Sequence, residues 1–149
     1  MANLSSTHAA WTPRVLSILR IAAAFMFLAH GAQKLFGFLA PPGSPSPAMF
    51  SQIWVGGVIE LFGGLLLLLG LFTRPVAFVL SGEAAFAYFI GHAPRNFFPA
   101  LNGGDAAILY CFMFLYLAAA GPGPWSLDAA RERRGGPLAT PDPLTPGTR

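Results

Sequence analysis

The chain has 149 residues, 54% of them hydrophobic and only 10% charged, with mean hydropathy +0.58. Soluble domains carry roughly a quarter charged residues, so an ordinary water-soluble domain is excluded, and the net charge of +3 reads as membrane topology rather than nucleic-acid binding. The single cysteine, Cys111, excludes an intrachain disulfide or a Cys-x-x-Cys redox pair and reads as a small packing residue.

Residues 1–12 are polar and predict a loose cytoplasmic lead that leaves His8 in solvent. From there to residue 122 the apolar residues fall in four blocks, about 15–39, 53–72, 75–91 and 105–121. A spanning helix needs about 20 mainly apolar residues, so two blocks are comfortable and two are short. Only helices or closed barrels satisfy their backbone polar groups in hydrocarbon, and the blocks lack the dyad alternation of barrel strands. A soluble bundle needs polar helix faces, whereas Leu65 to Leu69 is apolar all round. The expected fold is therefore all-α, an integral membrane four-helix bundle. Arg14 and Arg20 before the apolar core Ile21 to Ala29 also resemble a signal peptide. No small-x-small cleavage site follows cleanly, and apolar character resumes at Leu35, so the segment reads as a retained helix.

The first connection, PPGSPSP (Pro41 to Pro47), cannot continue a helix and predicts a stiff outer loop. Only Thr73, Arg74 and Pro75 separate the second and third blocks, which predicts a tight antiparallel hairpin. HAPRNFFPALNGG (His92 to Gly104) suits the outer interface. GPGPW ends the last span, and Ser126 reads as the N-cap of a short amphipathic stretch, LDAARERR. Residues 123–149 form a cytoplasmic tail, expected to be disordered after about 135. With both termini cytoplasmic, Arg14, Arg20, Arg74, Arg131, Arg133 and Arg134 fall near the inner face and Lys34 and Arg95 near the outer. That distribution obeys the positive-inside rule, and Trp11, Trp54 and Trp125 sit at span ends as an aromatic belt places them.

Within the spans, each residue turns a helix by about 100°. Arg20, Phe27, Gly31 and Lys34 then fall within about 40° of one line, with His30 about 40° further to one side and Gln33 pointing elsewhere. In the second span Gly56, Gly57, Gly63 and Gly64 lie within about 60° of Glu60. Small residues let helices approach closely in lipid, so these glycines are expected to be structural and Glu60 to face protein. An ionisable group at membrane depth costs at least about 2.5 kcal/mol, which favours a role for it. By depth, His30, Lys34, Glu60, His92, Arg95 and Asp105 gather at one outer level, while Glu83 lies nearer the midplane, with no role assigned to it or to His92. The expectation is an outward-facing pocket of His30, Lys34 and Glu60, capped by Arg95 and Asp105. His30 and Glu60 are the candidate catalytic, proton-relaying pair, and Gln33, Lys34, Arg95 and Asp105 the candidate substrate-binding groups. The simpler alternative is a Lys34–Glu60 pair that only holds two helices in register, but intramembrane polar contacts contribute about 0.6 kcal/mol each, too little to explain so many ionisable groups at one depth. Polar groups beside Phe36, Phe62 and Phe86 also suit a quinone ring. Two in-membrane histidines are a formal haem pair, but His92 stands at the edge of its span, and no metal site is expected.

At these residues the chain resembles the DoxX family of small bacterial membrane proteins. The matching segments are FLAHGAQKLFGF (Phe27 to Phe38), GGVIELFGGLLLLLGLFTR (Gly56 to Arg74), NGGDAAILY (Asn102 to Tyr110) and AGPGPWSLD (Ala120 to Asp128). The resemblance implies four transmembrane helices and an association with membrane redox chemistry, since relatives are linked to thiosulfate and quinone oxidoreductase systems and to thiol-oxidative-stress complexes. The family's polar positions carry over as His30, Gln33, Lys34, Glu60 and Asp105, the last standing where Glu is as common. The first outer loop looks shorter than in many relatives.

The resulting expectation is a multi-pass protein of the bacterial inner membrane, a membrane subunit of a quinone- or sulfur/thiol-linked redox system. No covalently bound cofactor is expected, with quinone the candidate ligand and the bilayer, a redox partner protein and a second copy of the chain the candidate partners, without nucleic acid. A small-solute transporter, which four helices would support only as an oligomer, and a membrane scaffold without catalytic activity are the alternatives.

Overall fold

In a computed structural model, residues 2–134 are described, with side chains from residue 9 onward. The side chain of His8 and the segment after 134, where disorder was expected, lie outside the described residues. Within them the chain is all-helical, with no strand.

Helix α1, Ala2–Phe36, runs straight through Pro13, so the polar lead is the first part of the helix rather than a loose segment before it. It stops short of Leu39 because Gly37 turns left-handed (φ 67°) and its amide bonds back to the Gln33 carbonyl at 3.0 Å. Helix α2, Gln52–Leu69, starts on Ser51, whose hydroxyl accepts from the Trp54 amide at 3.2 Å. It ends in a Schellman turn at Gly70 (φ 66°), where Gly70 bonds to the Leu67 carbonyl and Leu71 to that of Leu66. Helix α3, Thr73–Ala87, passes into a π-helical turn, Tyr88–His92. The one-turn α4, Pro99–Asn102, precedes α5, Asp105–Ala120, and α6, Leu127–Arg134, follows. Ser126 caps α6, its hydroxyl accepting from the Ala129 amide at 3.1 Å.

Helix α1 packs along α2, α3 along α5, and α2 also meets α3. The core is Ala23, Ala24 and Phe27 against Leu67, Ala77, Leu80, Tyr110, Phe114 and Leu117. The outer surface is just as apolar: Phe25, Phe62, Phe78, Phe89 and Phe112 all stand exposed, a surface suited to hydrocarbon and not to water. Two helical segments, Ala9–Phe36 and Gln52–Leu69, are long and apolar enough to cross a membrane, and α5 is a shorter apolar helix.

The four glycines expected on one face of α2 divide between two neighbours. A Cβ on Gly57 would stand 3.0 Å from the Lys34 Cβ and one on Gly64 3.0 Å from the Leu28 backbone, both on α1. From the other side Gly31 leaves only 2.5 Å between its Cβ position and the Leu61 nitrogen, so α1 and α2 touch backbone to backbone. Gly63 instead faces Leu80 of α3, and Gly56 faces the Glu83 carboxylate.

At the end of the molecule bearing α6, charged side chains close the helix ends. Arg20, fully buried, donates to the Leu67 and Leu68 carbonyls at the C-terminus of α2 and to the Pro122 and Trp125 carbonyls after α5. Arg74 donates to the Ala118 and Ala119 carbonyls ending α5. Cations at helix C-termini satisfy orphan carbonyls and oppose the helix dipole. Asp128 does the converse for α3, accepting from the Phe72 and Thr73 amides at 3.0 and 2.8 Å. Burial works against the charge of Asp128, but these amides and the Arg131 guanidinium outweigh it and hold its carboxyl below the ordinary value. The contact also steadies Phe72, whose φ of 51° is unfavourable for a side chain of that size.

Candidate functional site

At the opposite end, α1, α2, α3, the π-helical turn and α5 enclose a half-open cavity of about 250 Å³. Its polar lining is His30, Lys34, Glu60, Glu83, His92 and Tyr110. The Lys34 Nζ donates to Glu60 Oε1 at 2.7 Å, and Glu60 is 4% exposed. This pair is possible because Gly57 gives the Lys34 stem room to run along α2 before its ammonium turns inward.

Glu83 joins the pair from α3. Its Oε1 lies 3.2 Å, and Lys34 Nζ 3.8 Å, from the Cβ position of Gly56, so both groups stand over the same glycine. Glu83 is therefore level with Glu60, not deeper in the membrane. The two helices run antiparallel and extend to the same side of the short turn at Leu71–Phe72, and the two carboxylates come about equally far along them; counting from that turn would have found the match. One ammonium thus faces two carboxylates, and Glu60 Oε2 and Glu83 Oε2 are both buried with no hydrogen-bond partner among the described residues. A buried acceptor without a partner is costly, so the arrangement calls for a proton or a donor-bearing ligand between them.

His30 presents its ring edge-on to Tyr110, centroids 6.1 Å apart, and Tyr110 packs with Phe27 at 5.1 Å. His92 donates through Nδ1 to the Asn102 carbonyl at 3.1 Å, since a carbonyl oxygen can only accept. Asn102 organises this corner. Its amide donates to the Asn96 carbonyl at 2.9 Å and its Oδ1 accepts from the Gly104 amide at 2.7 Å. Asn102 fixes the loop that carries His92, and sequence reasoning had singled out neither it nor Tyr110; a buried-side-chain asparagine between helices was the available signal.

Three expected binding groups stand elsewhere. Gln33 donates to the Leu39 carbonyl at 3.2 Å and closes the turn after α1. Arg95 and Asp105 are exposed and line no part of the cavity. Asp105 sits in the first turn of α5, where an acid complements the helix dipole, and the Asn102 bonds hold the loop so that Arg95 faces outward. The aromatic lining differs as well: Phe27 and Tyr110 replace Phe36, Phe62 and Phe86, which face outward. Among the described residues no three His, Cys, Asp or Glu side chains gather as metal ligands would.

The family model described as DoxX matches residues 15–93, which include every polar lining residue except Tyr110. The chain is similar to an uncharacterized protein of Haemophilus influenzae, 43% identical over 79% of this chain and 91% of that one. It is 33% identical to the inner membrane protein YphA of Escherichia coli, over 78% of this chain and 89% of YphA. An uncharacterized membrane protein of Mycobacterium tuberculosis is 27% identical over 85% of this chain and 86% of its own. No solved structure matches the chain.

Proposed function

The chain belongs to the DoxX family of membrane proteins, and from that premise we propose that it is a multi-pass subunit of an inner-membrane redox system whose cavity binds a small redox-active molecule and exchanges protons with it. In this reading α1, α2, α3 with its π-helical turn, and α5 cross the bilayer with both termini cytoplasmic, so that the cavity opens at the outer face. The observation that carries the proposal is the pair of partnerless carboxylate oxygens, on Glu60 and Glu83, beside Lys34 in a cavity that two imidazoles and a phenol also reach.

Those groups fit the head of a quinone or quinol. Lys34 offers a donor to a ring oxygen, and Glu60 Oε2 and Glu83 Oε2 accept from a hydroxyl. When bound, the quinone supplies the two-electron chemistry. The residues of this chain handle the protons. Glu60 and Glu83 hold a proton within the cavity, and exposed His30, whose ring packs on buried Tyr110, passes it to the mouth. Lys34 keeps the site's net charge low through the exchange. Electrons come from a partner protein or from a reductant bound in turn, a sulfur compound or a thiol among the candidates.

The test is binding of a chainless benzoquinol to protein purified in detergent, followed by calorimetry, with mass spectrometry of molecules that copurify from native membranes. Glu60→Gln and Glu83→Gln are each expected to weaken binding about tenfold or more. Variants that alter only the unfolding temperature, with a wild-type protein that binds nothing, would reduce the cluster to a structural ion pair.

A further inference from the structure

A second cavity touches the first. Between α2 and α3, on the outer face of the helix pair, lies a groove of about 400 Å³ walled by Val55, Ile59, Val79 and Phe86. Its floor is Gly56, Gly82 and Glu83, and Glu83 also lines the polar cavity. The two spaces therefore share a wall that is one carboxylate thick. Gly56 keeps that wall thin, since the place a Cβ would occupy there already lies 3.2 Å from Glu83 Oε1 and 3.8 Å from Lys34 Nζ. Gly82 keeps the groove open, because a Cβ there would meet nothing within 4 Å.

We propose that this groove is the lateral portal through which a membrane-dissolved amphiphile reaches the site, its single apolar chain lying between α2 and α3 while its head passes Gly56 and Gly82 to Glu83, Glu60 and Lys34. The occupant follows from the contrast between the two spaces. The inner cavity carries six polar side chains where the groove carries Gln52 and Glu83, and at about 250 Å³ it has room for a ring-sized head but not for a long chain as well. The groove has apolar walls, opens toward lipid, and its one ionisable group is Glu83, at the junction. A molecule that uses both spaces has a hydrogen-bond-donating head for the carboxylates and a chain for the groove. A wholly water-soluble reductant leaves the groove without a function, and a phospholipid brings a phosphate toward two carboxylates, a like-charge approach that is unfavourable. Hydrocarbon in the groove exchanges one apolar environment for another, so the chain contributes path and orientation rather than affinity. Glu83 thus stands at the gate as well as in the binding cavity. The proposal rests on the cavity being the binding site of the redox reading, and it adds the route and the form of the ligand.

The experiment uses the full chain in nanodiscs and two probes, a benzoquinol bearing a decyl chain and the same quinol without one. Gly82→Leu fills the groove from a position with free space around it, and is expected to weaken binding of the decyl probe about tenfold or more while leaving the chainless probe within about twofold. Gly82→Ala should give a smaller loss in the same direction. Val79→Phe obstructs the groove from the other side of Gly82 and covers the case in which Gly82→Leu alters folding, which the unfolding temperature reports. If the chainless probe binds in a Glu60-dependent way and the groove variants do not distinguish the probes, the portal is refuted and the cavity stands. If neither probe binds the wild-type protein, both fall. Displacement of the decyl probe by a phospholipid acyl chain in the groove would also overturn the assignment.

Discussion

The contact between α1 and α2 makes a quantitative claim about Gly31. A methyl group there would stand 2.5 Å from the Leu61 nitrogen, 2.8 Å from its Cα and 2.9 Å from the Gly57 carbonyl oxygen, all backbone atoms that cannot rotate aside. Relief requires the helices to part by about 1 Å, and a gap of that size forfeits up to about half of each van der Waals well along the seam. The close approaches at Gly57 and Gly64, where a Cβ position lies 3.0 Å from α1, would open too. Overpacking of this kind costs about 1–3 kcal/mol. Alanine also favours a helix over glycine by about 1 kcal/mol, which masks part of the loss. Gly82→Ala carries the same helical gain with nothing within 4 Å to strike, so subtracting one variant from the other isolates the steric cost. Reversible unfolding by sodium dodecyl sulfate, or thermal unfolding in a mild detergent, is expected to place Gly31→Ala about 1–3 kcal/mol below Gly82→Ala. Gly31→Ala should also weaken ligand binding, because Lys34 sits one turn further along the same seam. Equal stability of the two variants would refute the close-packed seam and, with it, the placement of the Lys34–Glu60 pair.

Three further outcomes follow from the charged groups. Arg20→Met removes a donor from four carbonyls, of which Leu67 keeps the Gly70 amide while Leu68, Pro122 and Trp125 lose the bond from Arg20; each unsatisfied group costs about 1–3 kcal/mol, offset by several kcal/mol for no longer burying a guanidinium, so a net loss of about 3 kcal/mol is expected, with faster proteolysis after Ala120. Unaltered unfolding and proteolysis would count against the Arg20 contacts. Lys34→Ala strands Glu60 and is expected to cost about 3 kcal/mol, the low end for a broken buried pair because Lys34 is 30% exposed; a thermal midpoint equal to wild type would contradict it. Asp128→Ala removes the cap of α3 and is expected to cost about 1 kcal/mol. Because the folded carboxyl lies below its ordinary value of 3.8, the stabilisation is complete above that pH and is lost as pH falls through the depressed value. Hydrogen exchange at the Phe72 and Thr73 amides, compared at pH 6 between the wild type and Asp128→Ala, reads the cap directly, and equal protection in the two would exclude it.

How far the sequence discloses the site depends on which physical constraint sets each contact. Lys34 and Glu60 were legible because helical geometry and the cost of burying an ion restrict where each can point, and Ser126 because an N-cap is a local event. Glu83 was misplaced because its depth was judged from the ends of its own block, whose boundary with the π-helical turn leaves no mark in hydropathy. Arg20 read as a topological charge near the inner face. Its role depends on where α2 ends and where Trp125 returns, and both are tertiary facts. Arg95 and Asp105 were assigned by depth alone, but a loop's direction is set by its own hydrogen bonds, here those of Asn102. The glycines of α2 were legible as small, while their division between α1 and α3 depends on which neighbour lies on which side.

The closure at the α6 end also has a temporal side. Arg20 is synthesised roughly a hundred residues before the Pro122 and Trp125 carbonyls that complete its shell, and the first turn of α3 waits some fifty residues for Asp128. During synthesis the Arg20 guanidinium therefore stays without these acceptors until residues 122–125 have been made. The α6 end of the bundle closes only after α5 exists, and a chain released before that point would leave its first helix without the carbonyls that Arg20 binds.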